Sequence, residues 1–226
     1  MAGFDFLFEG FTLLLGLAMA EALGGYAAML KLRARRRVPG APESDHPPPQ
    51  NPQRIGLLLP LLILMFLAML STFWLDIYQI QNQLPFNLAS VLCVLLFIGS
   101  YYVIASLLWP EHPEAWADLD DYYFAHRKFV VLGMIGLSLA QEAALTLAEV
   151  EYPELPAPPE FATLGLVGDI ATAAGIVALL ALPFVRRRWL SLLLLLTVLA
   201  SVGLDATASA FGFGMYVPVV LEGVPA

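Results

Sequence analysis

Residues 161–211 read FATLGLVGDIATAAGIVALLALPFVRRRWLSLLLLLTVLASVGLDATASAF, two apolar runs separated by Arg186, Arg187 and Arg188. Each run supplies the roughly 20 helical residues needed to cross a ~30 Å hydrocarbon core. Three adjacent arginines cannot lie in that core, so the stretch predicts a transmembrane helical hairpin with a charged turn. Runs of the same kind precede it, giving six spans at about 5–30, 55–78, 86–108, 129–149, 161–185 and 189–211.

The other basic residues fall into two further gaps. Lys31, Arg33, Arg35, Arg36, Arg37 and Arg54 follow span one, and Arg127 and Lys128 follow span three, so all eleven Lys and Arg lie on one side of a six-span chain. By the positive-inside rule that side is cytoplasmic, and both termini are expected outside. The reading is an all-α polytopic protein with 1–226 as a single membrane domain. The first run is too long for a signal-peptide core and carries its positive charge behind it, so no cleavage is expected.

Composition agrees. A hydrophobic fraction of 59% and a mean hydropathy of +0.76 exceed what a soluble chain of 226 residues could bury. The net charge of −8 argues against a nucleic-acid partner. Cys93 is alone and forms no intrachain disulfide.

The gaps differ in character. Residues 38–53 hold six prolines and almost nothing apolar, the composition of a flexible cytoplasmic loop, and 150–160 is a proline-stiffened acidic outer loop. The gap before span four has proline and acids at a helix start, then apolar residues near helical spacing, which predicts an inner interfacial helix over about 113–126. Trp116, Leu119, Tyr122 and Tyr123 would lie on the membrane, with Glu114, Asp118 and Asp121 turned to water or to the inner arginines.

Within the spans, Gly16, Ala20 and Gly24 recur every four residues and Gly168 marks a similar place on span five. Such smooth stripes let helices approach closely, within one chain or between copies. A short echo relates Gly16–Glu21 to Gly136–Gln141, three spans apart, the arrangement of an inverted repeat.

The chemically pointed residues are acids inside spans that hold no Lys, Arg or His. Asp76, Glu142, Asp169 and Asp205 fall in the outer half of the membrane, Glu9 near its outer surface and Glu21 somewhat inside the midplane. A charge at a helix centre costs roughly 2.5–3.5 kcal/mol on insertion scales, so such groups need protons, cations or polar neighbours. Hydroxyls flank several of them: Thr197, Ser201, Asp205 and Ser209 recur every four residues, as do Ser138, Glu142 and Thr146. Glu142, Asp169, Asp205, Asp76, Glu21 and Ser201 are therefore candidates for a proton or cation pathway. The alternative is a non-catalytic scaffold or partner subunit whose acids hydrogen-bond neighbouring helices. A third reading, an intramembrane aspartyl hydrolase using Asp169 and Asp205, has only a loose Gly-x-x-Gly-Asp likeness behind it. His46, His112 and His126 lie outside the spans in no metal-ligand spacing, so no metal, cofactor or catalytic set is expected.

The run Tyr122-Tyr123-Phe124-Ala125-His126-Arg127-Lys128-Phe129, with Leu15-Gly16-Leu17 leading to Glu21 and Phe73-Trp74 closing span two, resembles a group of small uncharacterised bacterial integral membrane proteins. The resemblance implies a six-helix bundle in the bacterial cytoplasmic membrane and no particular activity. Physically, Trp116, Tyr123, His126, Arg127 and Lys128 read as an inner-interface anchor, rings at headgroup depth and cations towards anionic lipid or the nearby acids. The expected partners are the bilayer, and a second copy or another membrane protein.

Overall fold

The computed structural model describes residues 2–35, 56–80, 87–147 and 162–221. The loops expected at 38–53 and 150–160 lie outside the described residues. Six α-helices and one 3-10 turn account for nearly all of what is described: α1 (Ala2–Arg35), α2 (Leu58–Ile80), α3 (Leu88–Leu107), the turn Pro113–Ala115, α4 (Leu119–Leu147), α5 (Ala162–Ala181) and α6 (Arg188–Leu221). No strand occurs among the described residues.

Four helices are long and apolar enough to cross a membrane: Phe8–Lys31, Leu58–Tyr78, Leu88–Leu107 and Leu119–Leu147. The apolar stretches that qualify in the last two helices, Ile170–Ala181 and Arg188–Leu204, are shorter. Helices are the economical solution for such sequences, because a helix satisfies its backbone polar groups internally where no water can. The hydroxyls follow the same logic. Thr12, Ser71, Ser100, Thr146 and Thr197 each donate to the backbone carbonyl four residues earlier, and Thr72, Ser106 and Ser201 to the one three residues earlier.

The outside of the bundle is oily: Leu13, Leu96, Phe129 and Leu139 are among many exposed large apolar side chains. In water this would be an aggregation hazard; in lipid it is the ordinary surface of a helix bundle. Helix α2 is central, with half of its span buried and packed against α1, α4 and α6, while α3 lies on α1 and α5 on α6. The core holds Ala18, Ala22 and Met29 of α1, Phe66 and Leu70 of α2, Met134 of α4 and Leu195 of α6. Phe73 bridges α2 to α3 through Tyr101 (ring centroids 4.9 Å) and Phe97 (5.9 Å). Gly175 lets α5 meet α6, since a Cβ there would collide with Ser201.

The interfacial helix expected over about 113–126, leading into span four, does not run from 113. Pro113–Ala115 make a single 3-10 turn, and α4 starts at Leu119 and continues unbroken into the span. Its 29 residues extend about 43 Å at 1.5 Å per residue, longer than a ~30 Å hydrocarbon core, so about two turns overhang. Asp118 and Asp121 do turn to an inner arginine, Arg188, but the apolar side chains of those turns do not face outward as expected. Leu119, Tyr122 and Tyr123 are buried against the bundle, as are Asp118 and Asp120. The reason is tertiary: the start of α4 packs beside the starts of α2 and α6, which offer backbone N–H donors and a guanidinium to the acids.

Candidate functional site

The span carboxylates do not converge among the described side chains. Glu9, Glu21 and Glu142 are on exposed faces of their helices. Asp76 is half-buried, and its Oδ2 accepts a 2.9 Å hydrogen bond from Nε2 of Gln141, joining α2 to α4. The side chains of Asp169 and Asp205 lie outside the described residues, although both positions are helical. The flanking hydroxyls turn to their own backbones: Thr146 donates to the carbonyl of Glu142, Thr197 to that of Leu193 and buried Ser201 to that of Val198. Each hydroxyl thus spends its proton on a carbonyl of its own helix, which has a second lone pair to offer. Among the described residues no group of three His, Cys, Asp or Glu could hold a metal ion.

The small-residue stripe has a different disposition from the core. Helix α1 buries Phe11, Leu15, Ala18, Ala22 and Met29, leaving Gly16, Ala20 and Gly24 on the exposed side together with Glu21. Nothing lies within 4 Å of a Cβ built at Gly16 or Gly24. Gly168 is helical in α5, and its surroundings lie outside the described residues.

The densest polar organisation is at the basic end of the bundle, where Arg188 begins α6. Its Nη1 donates to Oδ2 of Asp118 at 2.9 Å and its Nη2 to Oδ1 of Asp121 at 3.0 Å, with Oδ2 of Asp120 at 3.9 Å. Asp118 also caps α4, its Oδ1 accepting from the backbone N–H of Asp120 at 2.9 Å. Asp120 in turn caps α2, its Oδ1 accepting from the N–H of Leu58 at 3.3 Å. Gly56 makes that approach possible, since a side chain there would occupy the space of the Asp120 carboxylate. Three helix starts are thus fastened by one acidic run and one arginine, and the hydrogen bond to Asp118, with the charges of all three acids, holds the Arg188 guanidinium above its ordinary pKa.

Behind this knot stand the anchor residues. The His126 ring stacks on Tyr122 (4.2 Å) with Nδ1 3.1 Å from the Tyr122 carbonyl oxygen, and Trp116 meets both rings edge-on. Lys128 is exposed, whereas Arg127 is only 3% exposed, with Cζ 4.6 Å from the Phe124 ring centroid and 6.0 Å from that of Tyr123. Of the five anchor residues, Tyr123 and Arg127 are therefore interior, Trp116 and His126 half-buried and Lys128 exposed.

Asp120, Arg188 and Ser191 were not singled out by sequence reasoning as site residues. The usable signal was the spacing Asp118-Leu119-Asp120-Asp121 at a helix start, which marks an N-cap; its partner 62 residues away at Leu58 leaves no local trace.

Compared with known proteins, the chain matches no family model, and no curated protein or solved structure is significantly similar to it. Geometry alone carries the functional argument.

Proposed function

We propose that this chain is a non-catalytic structural subunit of a membrane assembly, associating with a second copy of itself through the exposed face of α1. The observation that carries the reading is Glu21. It lies 10 residues from Lys31 and 13 from Phe8 in the apolar stretch, about 15 and 20 Å at 1.5 Å per residue, and so at the midplane. Left against lipid, a carboxyl there costs roughly 2.5–3.5 kcal/mol. Gly16, Ala20 and Gly24 beside it allow another helix to come close. A two-fold axis near Ala20 sets this surface on itself, small residues on small residues and one carboxyl beside another.

In this reading the six spans of the sequence cross a bacterial cytoplasmic membrane, with the three basic gaps inside and both termini outside. The knot of Asp118, Asp120, Asp121 and Arg188 then fastens the inner helix starts, and no chemistry is assigned to it.

Oxidative crosslinking in reconstituted vesicles tests the proposal. Ala20→Cys in a Cys93→Ala background should give a disulfide-linked dimer, while Leu139→Cys on the exposed side of α4 should not. Equal crosslinking at both positions, or none at either, rejects it.

A second reading, proton or cation permeation, draws on the half-buried Asp76–Gln141 pair between α2 and α4, with Glu142 next to it in sequence. It requires ion flux in liposomes that falls in Asp76→Asn, Glu142→Gln, Asp169→Asn or Asp205→Asn. Flux no greater than in empty vesicles removes it.

A further inference from the structure

Among the described residues, four buried polar atoms lack a hydrogen-bond partner: Nε and Nη1 of Arg127, the Tyr123 hydroxyl and the Ser191 hydroxyl. They belong to one neighbourhood. Tyr123 and Arg127 are one turn apart on α4, and the Tyr123 hydroxyl stands close to Ser191, in the first turn of α6, without hydrogen-bonding geometry. The three residues are at most 3% exposed. No carboxylate among the described residues pairs with Arg127: the acids of the adjacent knot are directed to Arg188 and to the start of α2. Arg186, another cation, lies close enough to weigh against the charge of Arg127.

A guanidinium in this position is costly. Removing a charge from water without an opposite charge carries a penalty that a ring face returns only in part. The missing interaction has a definite chemistry. Arg127 offers two N–H donors, at Nε and Nη1, that no protein group accepts from, and charged donors of this kind suit the oxygens of a tetrahedral or carboxylate anion. Tyr123 and Ser191 add two O–H donors, and the start of α6 contributes the positive end of a helix dipole. The opposing charge nearby is Asp120, close enough to Tyr123 to be felt but engaged by Leu58 and facing Arg188.

We infer that Arg127, Tyr123 and Ser191 form a binding site for a phosphate oxyanion at the basic end of the bundle. Arg127 provides charge and N–H donors, while the two hydroxyls orient the remaining oxygens. The phosphate can belong to a phospholipid headgroup or to a free anion, and both present the same oxygens. The site does not depend on self-association through α1.

The test is thermal unfolding of the full-length protein in a neutral detergent at constant ionic strength, in two arms. One arm adds inorganic phosphate with sulfate-free buffer; the other adds phosphatidylglycerol, with phosphatidylcholine as the control. Wild type should show a saturable rise in Tm in at least one arm. Saturation by inorganic phosphate assigns a free anion, and saturation by phosphatidylglycerol alone assigns a headgroup. Tyr123→Phe and Ser191→Ala remove only hydroxyls that have no protein partner, so they should fold as well as wild type and shift the midpoint about tenfold towards higher ligand, the loss of one hydrogen bond to a charged group. Arg127→Gln should abolish the response; if that variant does not fold, the two hydroxyl variants decide the matter. No rise in either arm, or identical midpoints in wild type and both hydroxyl variants, overturns the inference.

Discussion

At the residue scale, the behaviour of the basic end should turn on a few atoms. Gly56 faces the Asp120 carboxylate so closely that even a methyl must displace it. Gly56→Ala should therefore free the N–H of Leu58 and leave a buried carboxylate short of a donor, lowering stability by about 1–3 kcal/mol. Thermal unfolding in detergent measures this, and an unchanged Tm would mean that Asp120 does not cap α2. Arg188 is half-exposed while Asp118 is buried, so the pair is asymmetric. Losing the arginine strands the acid, whereas Asp118→Asn leaves an amide that can still accept a hydrogen bond. A double-mutant cycle of Arg188→Gln and Asp118→Asn should give a coupling of about 1 kcal/mol that weakens with salt. Additive effects would assign the bond no energetic role.

At the scale of elements, helix existence was legible in the apolar runs, because length and composition suffice to demand a helix in lipid. Which face of each helix packs was not. The spans are apolar all round, so they carry little amphipathic signal, and Gly16, Ala20 and Gly24 gave no indication that the bundle would instead bury Leu15, Ala18 and Ala22. The start of α4 misleads for the opposite reason: Asp, Tyr and His in alternation read as a surface helix, yet long-range donors from α2 and α6 make it interior. Spin labels at Leu119 and Tyr123 should accordingly be immobile and shielded from both water-borne and lipid-borne quenchers. Access from lipid would restore the interfacial helix. For α1, Glu21→Gln keeps a self-complementary hydrogen bond and should preserve association, while Glu21→Leu should weaken it about tenfold, the effect of about 1–2 kcal/mol for a polar contact between membrane helices. Equal association of the two variants would show that the carboxyl contributes nothing.

At the scale of the whole molecule, two proposals concern how the chain sits in the membrane and how it assembles. If the basic residues orient it, cysteines placed near Gly40 and Ala157 in the Cys93→Ala background should react with an impermeant reagent from opposite faces of the membrane. Reaction of both from one face would contradict six spans. The exposed midplane carboxyl of α1 bears on assembly, and association in a bilayer tests it most directly. Energy transfer between labelled copies in vesicles, measured as lipid is added at fixed protein, should persist through a dilution that abolishes chance proximity and should disappear in Gly16→Ile with Ala20→Ile, which roughen the face without touching the core. Energy transfer that falls to the chance level at every dilution in wild type, or that is unchanged in the double variant, would contradict a subunit joined to its copy through α1.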